Sequence, residues 1–179
     1  MKIYALMENT PYAPQFAAEH GLSLYIETDR HRLLFDAGAT GAFADNAERL
    51  GVDLSRVELA VLSHDHYDHG GGLARFLELN SRAPVYLSEH AFGRRYDAGG
   101  RYIGIDPALR ESGRLRFVED RLELDDQLTL YACNGEAAVY PLDSAGLTEE
   151  RDGARHPDRF LHEQYLMIPE KGKKVLISA

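Results

Sequence analysis

The stretch Leu62-Ser63-His64-Asp65-His66-Tyr67-Asp68-His69-Gly70-Gly71-Gly72 packs three histidines and two aspartates into positions 64–69. Neutral imidazole is the commonest nitrogen ligand of zinc, and carboxylate is a common oxygen ligand. Alternate residues of an extended chain point the same way, so His64 and His66 fall on one side of a loop leaving a strand. Asp68 and His69 then face a second position a short distance away. The glycines that follow let the backbone turn tightly and open a helix without side-chain obstruction.

The flanking sequence sets this loop in an α/β context. Leu59 to Leu62 is an unbroken apolar run, the pattern of a strand covered on both faces. The histidines come directly after its C-terminal end, where open α/β sheets place their sites. Upstream, Lys2 to Met7 reads as a strand, and Leu22 to Glu27 and Leu33 to Phe35 as a hairpin. Phe43, Ala47 and Leu50 recur at helical spacing, and Gly51 stops that helix. Downstream, Leu73 to Leu79 reads as a helix and Val85 to Leu87 as a strand. Leu115 to Val118, Glu123-Leu124 and Leu128 to Tyr131 read as a strand and a hairpin. Leu161 to Ile168 and Val175 to Ser178 are predicted strands joined by the turn Glu170 to Lys173. Residues 93–113 and 134–159 show no clear period and are expected to be long loops, which in compact domains are functional or mobile.

Composition narrows the function classes. With 44% hydrophobic and 27% charged residues, the 179-residue sequence reads as one globular domain over residues 1–179. A net charge of -9 repels phosphate backbones, so no nucleic-acid partner is expected. No apolar run is long enough to span a bilayer, and the N-terminus lacks signal-peptide features, so no membrane partner is expected. The single cysteine, Cys133, excludes an internal disulfide, fits a cytoplasmic location and reads as a small core thiol. Arg94, Arg95, Arg101, Arg110, Arg114 and Arg116 fall close together. They read as a solvated loop; the alternative is an anion-binding rim for a substrate carboxylate or phosphate. No Ser-His-Asp arrangement, P-loop or dinucleotide fingerprint is present.

The histidine segment resembles the metal motif of the metallo-β-lactamase fold superfamily. Further matches resemble its dihydropterin ribofuranosyl-aminobenzene phosphate synthase-like branch: Glu19-His20-Gly21-Leu22-Ser23, Phe35-Asp36-Ala37-Gly38, Asn46-Ala47, Ser63 to Leu73, and Glu163-Gln164. The resemblance runs over nearly the whole chain. It implies an αββα sandwich with two divalent metal ions, zinc first and Mn or Fe as alternatives, at the edge between its sheets. Carried over, His64 and His66 are ligands of the first metal, and Asp68 and His69 of the second. Asp36 supports the site as a hydrogen-bond acceptor. A metal-bound hydroxide attacks an ester, phosphoester or related small-molecule substrate, with Asp68 orienting it and accepting a proton. Tyr67 is expected to pack and Ser63 to bond backbone.

The family pattern also calls for a third histidine on the first metal, a bridging aspartate and a further histidine on the second. In this branch the third histidine follows a strand resembling Val175 to Ser178, and the sequence stops at Ala179. The chain is therefore read as an N-terminal portion with an incomplete second sheet. The apolar inner face of its first sheet is expected to be covered by a second copy or by a missing C-terminal part. Among the remaining histidines, His20 is read as a pocket candidate and His90 as a structural residue near the site. His31 is read as exposed, His156 as a loop residue and His162 as a strand residue.

The leading reading is a metal-dependent hydrolase, or a related carbon–nitrogen or carbon–phosphorus transferase of the pterin branch. A di-iron oxygen-reducing site on the same fold would favour a carboxylate where His66 stands. The reading from another class is a non-catalytic binding or assembly domain with an incomplete metal site.

Overall fold

The computed structural model describes residues 1–132 and 143–179. Cys133 lies outside the described residues, as does the start of the expected loop 134–159. In chain order the elements are β1 (Lys2–Met7), β2 (Ser23–Glu27), β3 (Arg32–Phe35), α1 (Ala42–Arg49), β4 (Leu59–Val61), α2 (Tyr67–Gly70), α3 (Leu73–Leu79), β5 (Val85–Ser88) and β6 (Arg95–Tyr96). Then follow β7 (Leu115–Val118), β8 (Arg121–Glu123), β9 (Thr129–Tyr131), β10 (Thr148–Arg151), β11 (Ala154–Pro157), β12 (Tyr165–Glu170) and β13 (Lys173–Ile177).

The first sheet has the order β1-β2-β3-β4-β5-β7. Its β1–β2 and β2–β3 pairs are antiparallel, whereas β3–β4, β4–β5 and β5–β7 are parallel. Leu33, Leu34 and Phe35 are fully buried, as are Ala60 and Val61. The strand alternation explains this: Leu34 and Ala60 face the helices, whereas Leu33, Phe35 and Val61 face the second sheet. On the helix side, Leu6, Leu34 and Leu62 pack with Phe43 and Ala47 of α1 and with Leu73 and Phe76 of α3.

The second sheet has the order β13-β12-β9-β8 and is antiparallel throughout. Its Leu130, Leu166, Ile168 and Ile177, with the neighbouring Leu128, cover Ile26, Phe35 and Val61 of the first sheet. This corrects the expectation that the inner face lacks a cover within the chain: β8, β9, β12 and β13 supply one. The result is a mixed α/β helix–sheet–sheet sandwich. Among the described residues no helix lies on the outer side of the second sheet. The β12–β13 hairpin turns at Lys171-Gly172, where both residues have positive φ, as a two-residue hairpin requires.

Both segments expected to be loops contain strands. β6, β10 and β11 form a third, small sheet in the order β11-β10-β6. Its strands are two to four residues long and polar, so no apolar alternation announces them. His156 therefore lies on a strand. Conversely, 161–164 are not strand; β12 begins at Tyr165, and His162 sits in the preceding turn. His31 is also not exposed: Asp125 and Glu58 close over it, with its Nε2 2.7 Å from Asp125 Oδ2. Among the described residues no helix is long and apolar enough to cross a membrane.

Candidate metal centre

The site loop leaves the C-terminal end of the buried strand β4 and is gripped by its neighbours. Asp36, just past β3, adopts positive φ, a conformation that Asp tolerates better than most residues. Its carboxylate accepts hydrogen bonds from Ser63 N–H and Ser63 Oγ, both at 2.7 Å, and lies 2.8 Å from His69 Nδ1. Asp36 thus links Ser63 to His69. The glycines explain how closely the chain passes: a Cβ on Gly72 would lie 2.1 Å from the Ala37 carbonyl oxygen. On the far side, Tyr67 N–H donates to the Ile103 carbonyl and Ile105 N–H to the Asp65 carbonyl. The expected loop 93–113 is thus one wall of the site.

Four imidazoles converge here, three from the motif and one from far along the chain. Ring centroids lie 4.1 Å apart for His64–His69, 4.7 Å for His64–His66 and 5.1 Å for His66–His162. Asp68 Oδ2 lies 3.4 Å from both His69 Nε2 and His20 Nε2. Donor atoms of His66, Asp158 and His162 all lie within 4.8 Å of one another, and all three residues are buried. His90 is remote in role: its side chain is half exposed beside Glu89.

Buried polar atoms are normally hydrogen-bonded. His66 Nε2, His162 Nε2 and Asp158 Oδ2 are buried and lack such a partner among the described residues. His162 Nε2 lies 3.5 Å from Asp158 Oδ2, long for a hydrogen bond. Two imidazole nitrogens and a carboxylate oxygen left unsatisfied side by side form a donor set that a divalent cation satisfies, so the residues present fit a metal.

At His64 and His66 the protonation states agree with that use, whereas His69 and His162 are held toward the protonated form by their carboxylate neighbours and would have to give up a proton to a metal ion. Burial, reinforced by His69 and His66, holds His64 well below the ordinary histidine range. Burial likewise pushes His66 down to about 4. Both are therefore neutral at pH 7, the form that binds metal. At His69 burial opposes the charge, but Asp36 and Asp68 together outweigh it and raise the ring to about 9. Burial raises the Asp36 carboxyl, partly offset by His69 and Ser63. His162 is raised despite its burial, by Asp158 and Asp65.

Beneath the imidazoles lies a buried charge network that local pattern does not reveal. Asp65, between the two motif histidines, accepts from Phe92 N–H at 2.5 Å and from Arg95 Nη1 at 2.8 Å. Its Oδ1 lies 2.7 Å from His162 Nδ1, and Arg95 Nε lies 3.4 Å from Asp158 Oδ2. Gln164 Nε2 donates to the carbonyls of Leu62 and Tyr86, tying the second sheet to β4 and β5. The arginine-rich segment is accordingly not one solvated loop. Arg95 is buried, and Arg114 donates through Nε and Nη2 to the Ala83 carbonyl. Only Arg101 of the group reaches the cleft beside the histidines.

The family model of the metallo-beta-lactamase superfamily matches residues 18–165. The chain belongs to that superfamily. Among its superfamily relatives, the protein MJ0448 of Methanocaldococcus jannaschii is 31% identical over 172 residues, 92% of this chain and 65% of that protein. The 7,8-dihydropterin-6-methyl-4-(beta-D-ribofuranosyl)-aminobenzene-5'-phosphate synthase of the same organism is 33% identical over 102 residues, 51% of this chain and 34% of that protein. The crystal structure of Tm1679, a metal-dependent hydrolase of the beta-lactamase superfamily, superposes with a TM-score of 0.75 at 30% identity. That match covers 98% of this chain and 64% of Tm1679. The subclass B3 metallo-beta-lactamase MEM-A1, from a soil metagenome library, shares the fold at 19% identity and a TM-score of 0.54. The chain thus spans less than two thirds of the length of MJ0448 and Tm1679.

Proposed function

We propose that this chain is a metal-dependent hydrolase acting on an ester, phosphoester or related small molecule. The observation that carries the reading is the convergence of four imidazoles, with His66 Nε2, His162 Nε2 and Asp158 Oδ2 buried and without a hydrogen-bond partner among the described residues. His64, His66, Asp68 and His69 would hold two divalent ions, zinc first and Mn or Fe as alternatives. His162 and Asp158 would join His66 in that shell. Such ions supply Lewis acidity and a nucleophilic water near neutral pH. Asp36 orients His69 through its Nδ1, fixing which ring nitrogen faces inward. Asp68 stands at the cleft as proton acceptor.

A second reading, transfer rather than hydrolysis, draws on the synthase relative. Both share the metal requirement. The purified chain, incubated with Zn²⁺ and desalted, is expected to retain metal by mass spectrometry and to cleave bis(p-nitrophenyl) phosphate. Chelator should abolish that cleavage. Retained metal without any hydrolysis favours transfer. If the His64→Ala/His66→Ala variant keeps wild-type metal content, the site is wrongly assigned.

A further inference from the structure

A cleft of about 390 Å³ opens beside the imidazoles, within the size range of small-molecule sites. His20, His66 and Asp68 line it, and Ile103 and Leu147 contribute apolar side chains. Arg101 is the one lysine or arginine among its described lining residues. Its guanidinium carbon lies 5.0 Å over the Tyr67 ring, and its Nε lies 3.6 Å from Asp97 Oδ2. Its backbone N–H donates to Asp97 Oδ1 at 2.9 Å. The side chain is held from one side by ring and carboxylate. Its two terminal nitrogens have no partner among the described residues.

The geometry points to Arg101 as the substrate-anchoring residue of this cleft, binding an oxyanion, phosphate or carboxylate, on a small organic substrate. The inference rests on the proposed reading only in taking this cleft as the substrate site. A guanidinium whose outer edge is free offers two parallel N–H donors to two oxygens of one oxyanion. Tyr67 and Asp97 restrict the side chain in advance, so less freedom is lost on binding. In a chain of net charge -9, with Asp68 and Asp97 lining the same cleft, an anionic substrate needs a dedicated cation. Ile103 and Leu147 suit an apolar body attached to that oxyanion. The charge and the apolar side chains together define an amphiphilic anion such as an aryl phosphate or an aryl carboxylate.

The test is titration calorimetry of the full chain with phenyl phosphate and, separately, benzoate. Wild type, Arg101→Ala and Arg101→Lys are compared, with zinc content measured on each sample. Arg101 is largely exposed, so the alanine variant should fold. The variant is expected to bind the preferred anion about tenfold more weakly or worse at unchanged zinc content. Lysine, which keeps the charge but loses the fork, should recover part of the loss. Tighter phenyl phosphate binding assigns phosphate, and tighter benzoate binding assigns carboxylate. Equal affinities of wild type and Arg101→Ala overturn the inference, as does a wild type that binds neither anion. Loss of zinc from Arg101→Ala also overturns it, because the residue would then act through the fold. If wild type holds no zinc but still binds the anion through Arg101, the anchor stands and the metal reading falls.

Discussion

Arg95 is the residue whose removal tests the architecture of the centre most sharply. Its side chain is 3% exposed and lies between Asp65 and Asp158, each 0% exposed, with His162 also at 0%. Two carboxylates, one guanidinium and one imidazole are thus shut away together. Arg95→Met keeps the bulk of the side chain but leaves two buried carboxylates facing a single imidazole. Breaking a buried ion pair from one side costs about 3–5 kcal/mol, because the remaining charge stays desolvated. Against a whole-domain stability of about 5–15 kcal/mol that is a large fraction. For a domain of this size it corresponds to a fall in Tm of roughly 6–20 °C. Urea unfolding with EDTA present measures the loss without any contribution from metal. Arg94→Met is the internal control: its side chain is 68% exposed and paired with Glu150, so it should cost about 1 kcal/mol or less. Adding Asp158→Asn to Arg95→Met removes one orphaned charge and should return part of the loss, a coupling of about 0.5–3 kcal/mol. Equal midpoints for Arg95→Met and Arg94→Met would refute the reasoning and make the network a bystander.

Two further outcomes are expected. Gly72→Ala would place a methyl 2.1 Å from the Ala37 carbonyl oxygen and 2.5 Å from that of Thr40. Overpacking of that kind costs about 1–3 kcal/mol; a thermal midpoint unchanged from wild type would show that the turn has slack. At the opposite end, burial opposes the charge of Asp125, but backbone N–H groups of Gln127 and Leu128 with His31 outweigh it and lower its pKa. A carboxylate lowered in the folded state stabilises above its unfolded pKa of about 3.9, and that contribution disappears as pH falls through the folded value. Asp125→Asn should therefore be less stable than wild type at pH 7. The two should converge below about pH 3. Parallel stability curves down to pH 2 would contradict this.

How much of this was legible along the chain depended on whether the signal was local. The first sheet was readable because Leu33, Leu34 and Phe35 and the run Leu59 to Leu62 state their burial in their own composition. The motif histidines were readable because a six-residue spacing suffices to set His64 and His66 on one side of a loop. The second sheet was misjudged in role although its strands were seen, because nothing in β9, β12 or β13 says against which face they pack. Strands β6, β10 and β11 were missed for another reason. They are short and polar, held by ladder hydrogen bonds rather than by an alternating apolar face.

By itself, then, the sequence determined the α/β layering and the strand-end position of the histidine loop. Only the tertiary structure decided that His162 and Asp158 stand against His66, that Arg95 is buried between Asp65 and Asp158, and that Arg101 alone of its cluster turns toward the cleft. The physical reason is separation. His162 and Asp65 are 97 positions apart, and partners that distant leave no periodic trace. Burial inside the sandwich brings them together, and inside it each charge must find another charge or a metal.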